Sequence, residues 1–136
     1  MSDANRLLIL RIALIVIGLT FIFGFYTLII VWPSGWTWGH GHSHYLTMIL
    51  GVYATLGVFL LIAARDPLRH TSLIWFTVWS SIVHAVVMAV QSFQSGHHMG
   101  HLWGDVPALL LAAIVLAVLV RSSGITRPES ASPAQT

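Results

Sequence analysis

Four long runs of apolar residues, separated by short polar segments, fill most of this sequence. They cover about residues 11–32, 44–64, 72–94 and 103–120. A transmembrane α-helix needs roughly 20 predominantly apolar residues to cross a bilayer, and each run is close to that length. Only 7% of the residues are charged, so the runs do not suit the surface helices of a water-soluble bundle. The sequence therefore predicts an all-α polytopic membrane protein: an antiparallel bundle of four transmembrane helices embedded in a lipid bilayer.

We predict a single four-helix transmembrane domain over residues 1–124, because four spans leave little chain for a second domain. The segment 125–136 (ITRPESASPAQT) is polar and contains proline, which predicts a disordered cytoplasmic tail. The first run is longer than the roughly 7–15 residues of a signal-peptide core and leads into a Trp-Pro-Ser-Gly turn. We therefore interpret it as a membrane span and not as a cleaved leader.

The basic residues indicate an orientation. All six are arginines, and all flank the same side of the predicted bundle: Arg6, Arg11, Arg65, Arg69, Arg121 and Arg127. Positively charged loops are retained in the cytoplasm. We therefore expect a multi-pass protein of a bacterial inner (plasma) membrane, with its N and C termini in the cytoplasm.

Histidine is the unusual residue of the chain. Of the eight histidines, six fall in two short segments, HGHSH before the second run and HHMGH before the fourth: His40, His42, His44, His97, His98 and His101. Two spans lie between these segments, so both segments are expected at the extracytoplasmic face. Neutral imidazole is the commonest metal ligand. Asp105, four residues after His101, could ligate the metal or orient a ring.

This pattern predicts a transition-metal site for Cu, Zn, Fe or Ni, formed by the six histidines and Asp105. The alternative is a set of solvated interfacial histidines without metal, since a short His-rich tract is only a compositional sign. The absence of Cys excludes thiolate sites and Cys nucleophiles. There is no phosphate loop, so no nucleotide cofactor is expected, and the scattered arginines give no sign of nucleic-acid binding. Bis-His haem ligation is not expected, because only one predicted span carries a histidine at mid-membrane depth.

The third run carries a line of mostly polar residues. At 100° per residue, the following lie within about 40° of one line: Thr77, Ser80, His84, Met88, Gln91, Ser95 and His98. The second run has a weaker matching line of His44, Met48, Gly51 and Thr55. We expect the polar line, with His84 and Gln91, to face the bundle interior. A titratable residue at mid-membrane indicates function by default; His84 is either a proton relay or, as we favour, a hydrogen-bonded strut between helices.

Two further features concern packing and depth. Pairs of small residues four apart allow helices to approach closely in lipid, and the chain has such pairs at Thr20 and Gly24 and at Ala113 and Ala117. Tryptophans cluster near the predicted outer boundary, which indicates an interfacial aromatic belt: Trp32, Trp36, Trp38 and Trp103.

Two stretches resemble a family of small bacterial four-helix membrane proteins without an assigned activity. They are SLIWFTVWSSIVHAVVMAVQ (residues 72–91) and LWGDVPAL (residues 102–109), with a weaker similarity over residues 48–68. The resemblance implies the fold and the membrane location only. His84 and Asp105 lie inside these stretches and the HGHSH segment does not. The HHMGH segment also resembles the HHxxH boxes of membrane di-iron hydroxylases, which face the cytoplasm in much larger proteins.

The leading functional hypothesis is a membrane protein that binds, senses or transfers a transition metal at a His-rich extracytoplasmic site. The alternative is a non-catalytic accessory or structural subunit of a larger membrane complex, or a homo-oligomer. A third hypothesis is a metal-dependent membrane oxidoreductase. Enzymatic activity is not expected under the first two.

Overall fold

The structure, a computed structural model, describes residues 3–36, 44–94 and 96–123. It has four long helices that are long and apolar enough to cross a membrane. Helix α1 comprises Asp3–Leu19, a π-helical turn at Thr20–Gly24, and Phe25–Val31. Helices α2, α3 and α4 span His44–Ala63, Thr71–Gln94 and Asp105–Ser122. The predicted all-α, multi-pass fold is confirmed.

Two short elements complete the described chain. A single helical turn, Pro33–Trp36, follows α1, and a 3₁₀-helix, Gly96–Leu102, joins α3 to α4. Helix α1 starts at Asp3, well before the predicted residue 11, and its first turns include Arg6, which contacts the end of α4. The Arg6 Nη1 donates a hydrogen bond of 2.9 Å to the carbonyl oxygen of Ser122. The predicted tail, residues 125–136, lies outside the described residues.

The two ends of the bundle differ in chemistry. We call one the arginine end; it contains the start of α1, the end of α2, the start of α3 and the end of α4, with Arg6, Arg11, Arg65, Arg69 and Arg121. The opposite end, with His44 and the segment Gly96–Leu102, is the histidine end. At the arginine end, Arg69 pairs with Asp66 at 3.3 Å, and the Arg121 guanidinium lies 5.6 Å from the centre of the Trp75 ring.

The helices pack as two close pairs, α1 with α2 and α3 with α4. Gly18 and Gly57 meet in the first pair, where a Cβ atom on Gly57 would lie only 2.6 Å from the Gly18 carbonyl oxygen. The turn Thr20–Gly24 also packs against α2, although the nearest atoms to a Cβ on Gly24 belong to Thr20 of its own helix. Ala113 is buried and Ala117 packs against the core, as small residues at a helix contact should.

The buried face of α3 is not the predicted polar line. It is centred on the small residues Ser81, Ala85 and Ser92, roughly 70° around the helix from His84 at 100° per residue. Thr77 and Met88 of the predicted line are buried, but so is Val78, which lies outside that line. Small side chains occupy this face because α3 has its most extensive contact with α4. The line through His84 instead borders the seam between α3 and α2, where the contact is the sparsest of the neighbouring helix pairs.

Candidate functional site

A histidine and a carboxylate form a buried pair at the histidine end. His101 lies near the end of the 3₁₀-helix and Asp105 is the first residue of α4. The His101 Nδ1 atom lies 2.7 Å from Asp105 Oδ2, and the two residues are 0% and 5% exposed. The turn at Trp103 and Gly104 makes this possible, because the Gly104 amide donates to the Gly100 carbonyl oxygen and turns the chain into α4. A carboxylate in the first turn of a helix is also stabilised by the helix dipole.

The pair borders a cavity of about 310 Å³ in the half of the bundle nearer the histidine end. All four helices contribute to its walls, together with the turn at Trp36. We call it the aromatic cavity, after the rings and polar groups that define it: Phe25, Trp36, Tyr45, Tyr53, His84 and Asp105. Aliphatic side chains such as Ile49, Val87 and Leu109 fill the spaces between them.

The aromatic rings in the cavity wall pack against one another. Tyr53 packs edge-to-face against Phe25, with ring centres 4.9 Å apart, and against His84, with ring centres 5.5 Å apart. Phe25 also contacts Trp36 at 5.5 Å. Edge-to-face contacts at these distances are favourable because the positive edge of one ring meets the negative face of another. They give the cavity a fixed shape that spans from α1 across α2 to α3.

His84 is part of this wall, and its role as a hydrogen-bonded strut stays a prediction. It is half-buried, and its contact is the ring of Tyr53. Within residues 3–36, 44–94 and 96–123 it forms no hydrogen bond to another helix. The helix rotation described above explains this, since it turns His84 toward the open seam between α2 and α3. Gln91 also lines the cavity, at the exposed side of the same helix.

The structure brings together two of the predicted metal ligands, His101 and Asp105. His44 is the exposed first residue of α2. His97 and His98 lie on the 3₁₀-helix, but their side chains, like His40 and His42 entirely, lie outside the described residues. Among the described side chains, no three of the His, Asp and Glu type converge as metal ligands.

Sequence reasoning missed the contribution of α2 to the cavity. The predicted line through Met48 and Gly51 is wrong: Met48 is 65% exposed, and a Cβ on Gly51 would meet nothing within 4 Å. The inward line is Leu46, Leu50, Tyr53 and Gly57, whose spacing of three and four residues was a readable signal. Trp36, assigned to the interfacial belt, is buried in the cavity wall, whereas Trp32 and Trp103 are exposed as expected; Trp38 lies outside the described residues.

Comparison with protein families adds a relationship that covers nearly the whole chain. Residues 4–135 match the model of a family of unknown function, DUF6632. The chain belongs to the DUF6632 family. This match extends well beyond the stretches that carried the resemblance in the sequence. Comparison with curated proteins and with solved structures gives no match.

Proposed function

We propose that this DUF6632 protein binds a transition metal at its histidine end, and that it senses or hands on the metal there. The observation that carries the proposal is the 2.7 Å contact between Asp105 Oδ2 and His101 Nδ1. Metal-ligating histidines almost always donate their second ring N–H to a carboxylate, a carbonyl or water, which fixes the tautomer and the ring orientation. In this proposal Asp105 holds Nδ1 of His101, and a metal takes Nε2 in exchange for the further contact that the buried ring makes.

The other ligands in this proposal come from the two His-rich segments. His97 and His98 belong to the same 3₁₀-helix as His101, and His44 begins α2 at the same end of the bundle. His40 and His42 precede it in the chain. A site of several imidazoles without thiolates suits Cu, Zn, Fe or Ni. Asp105 has the orienting role in this arrangement.

We also propose that the histidine end is extracytoplasmic and that both termini are cytoplasmic, in a bacterial inner membrane. The arginine end holds five arginines and Arg127 follows α4 in sequence, and basic residues accumulate on the cytoplasmic side. The chain has no native Cys, so single cysteines report the topology directly. In intact cells, a membrane-impermeant maleimide should label Ser34→Cys and not Asn5→Cys; the opposite pattern would reverse the orientation.

Metal content tests the site itself. Protein purified without an affinity His tag should carry close to one equivalent of metal, measured by elemental analysis. Replacing His97, His98 and His101 together by Ala should remove most of it. His70→Ala is the matched control, because His70 lies in the loop at the arginine end and should leave the metal content unchanged.

A second variant separates ligation from folding. His101→Asn retains an N–H donor for Asp105, so the turn can form, but it removes the imidazole. We expect it to fold and to lose metal affinity by roughly 10–100-fold or more. If wild-type protein has no metal, or if the triple variant retains full occupancy, the metal proposal fails, and the accessory-subunit hypothesis becomes the better one.

A further inference from the structure

Two residues of the cavity wall each have a buried polar atom without a hydrogen-bond partner among the described residues: the Trp36 Nε1 donor and the Asp105 Oδ1 acceptor. Both residues line the cavity. A buried polar atom left unpaired costs about 1–3 kcal/mol, and the great majority of such atoms in native proteins have a partner. A donor and an acceptor on the walls of one apolar cavity therefore indicate a molecule that offers the complementary acceptor and donor.

The walls define the rest of that molecule. The cavity is at the small end of the roughly 300–1,000 Å³ typical of ligand sites, and the rings of Phe25, Tyr53 and His84 bound it. Aromatic walls favour an aromatic ring, which can pack edge-to-face against them. A hydroxyl group on that ring accepts from an indole N–H and donates to a carboxyl oxygen.

We propose that the aromatic cavity is a binding site for a membrane-soluble aromatic alcohol, either a free phenol or the quinol head group of a lipid-tailed molecule. The ring lies against Phe25, Tyr53 and His84, and its hydroxyl groups pair with Trp36 Nε1 and Asp105 Oδ1. The inference concerns binding and includes no chemical step.

The structure also offers an entry route. The cavity wall between α2 and α3 follows the sparsest of the helix contacts, and Val87 in this wall is 48% exposed. The cavity therefore reaches the side of the bundle, which faces lipid in a membrane. A ligand that dissolves in the bilayer can enter there, and an alkyl tail can remain outside among the lipid chains.

This inference is independent of the proposed metal function, although Asp105 belongs to both. Its Oδ2 atom contacts His101 and its Oδ1 atom is the unpaired acceptor of the cavity. In a variant with His97 and His98 replaced by Ala, we expect ligand binding to persist while metal binding is lost. Failure of one proposal is therefore distinguishable from failure of the other.

The test uses the full-length protein in lipid nanodiscs and three probes with the same ring system. 2-Naphthol has a donor and an acceptor, 2-methoxynaphthalene has an acceptor only, and naphthalene has neither. Equilibrium dialysis, corrected with empty nanodiscs for partitioning into lipid, should give saturable binding in that order of affinity. We expect 2-naphthol to bind roughly tenfold more tightly than naphthalene, the effect of a buried hydrogen bond retained. Equal affinities for all three probes would overturn the proposal.

Matched variants locate the site. Val87→Trp should fill the cavity and abolish saturable binding, whereas Val86→Trp, next to it and 54% exposed but outside the cavity wall, should bind like wild type. Trp36→Phe keeps a ring and removes the donor, so it should weaken 2-naphthol binding without affecting naphthalene; Trp103→Phe, at an exposed tryptophan, is its control. Equal binding by Val87→Trp and Val86→Trp would exclude the cavity. A decyl-substituted hydroquinone that binds more tightly than 2-naphthol would identify the lipid-tailed source, and weaker binding the free phenol.

Discussion

The arginine end and the histidine end of this bundle are built from the same four helices but packed to different degrees. Toward the arginine end the core is closed: Leu10, Leu14, Leu60, Leu116 and Val120 are all 0% exposed. Toward the histidine end the four helices line the aromatic cavity. The polar contacts differ in the same way, since the ion pair and the guanidinium–ring contact of the arginine end are at the surface, whereas the His101–Asp105 pair is buried.

This difference in packing indicates that the two halves contribute unequally to the stability of the bundle. In lipid, helix association depends on close packing and on a few polar contacts, because there is no hydrophobic force between apolar helices. The half with complete side-chain packing and the Gly18–Gly57 contact therefore holds the bundle together. The half with a cavity and buried polar groups has fewer side-chain packing contacts, which is typical of a binding site.

Leucine truncation should separate the halves most strongly. Leu116→Ala removes a completely buried side chain near the arginine end, and it should lower the free energy of unfolding by about 2–5 kcal/mol. Leu46→Ala, in the cavity wall and only partly buried, should cost about 2 kcal/mol or less, because the truncation removes less buried apolar surface. Reversible unfolding in mixed micelles measures both. Equal losses would contradict the difference in packing.

The glycine contact should give the next largest effect. Gly57→Ala places a Cβ 2.6 Å from the Gly18 carbonyl oxygen and 2.8 Å from Ile22 Cγ1, so α1 and α2 must separate, at a cost of about 1–3 kcal/mol. Gly51→Ala, on the same helix with nothing within 4 Å of the new atom, is the control and should not be destabilised. The same unfolding assay measures both variants. A Gly57→Ala protein as stable as Gly51→Ala would show that α1 and α2 tolerate a wider separation.

The smallest effect is expected at His84, on the cavity side. Its edge-to-face contact with Tyr53 is worth about 0.5–1.5 kcal/mol, so His84→Ala should lose that amount. His84→Phe should retain most of the stability, because it preserves the ring contact, and His84→Gln should not. A double-mutant cycle with Tyr53→Leu measures the coupling between the two rings. Full stability of the Gln variant, with a loss in the Phe variant, would instead support a hydrogen-bonded strut.

The sequence predicted the spans well because bilayer thickness sets the length of an apolar run, and α2, α3 and α4 lie within two residues of the predicted ranges. It predicted the rotation of the helices poorly. Hydropathy does not separate core from lipid-facing residues when both environments are apolar: Val78 is buried and Val83 is exposed, although they are the same residue type on one helix. The small residues Ser81, Ala85 and Ser92 were the better guide to the buried face of α3.

The candidate site shows the same limit. His101 and Asp105 could be paired from the sequence because they are near neighbours along one turn of chain. The aromatic cavity could not be predicted from the sequence, since its walls combine residues from four helices whose relative rotation is not encoded in any local pattern. Trp36 illustrates the problem, because a tryptophan next to a membrane boundary fits an interfacial belt and a cavity wall equally well.

The π-helical turn Thr20–Gly24 in α1 lies between the Gly18–Gly57 contact and Phe25 in the cavity wall. A π-turn accommodates one more residue than an α-helical turn, so it offsets the phase of everything that follows by about 100°. The number of residues between Gly18 and Phe25, together with the π-turn, therefore sets the rotation of the cavity half of α1 relative to its packed half. Deleting a single residue from this stretch would leave a regular helix in which Phe25 and Ile29 keep their direction, whereas converting the π-turn to α-helix with all residues retained would rotate them by about 100° and out of the wall. Family members that conserve the cavity should consequently have either the π-turn or one residue fewer in this interval.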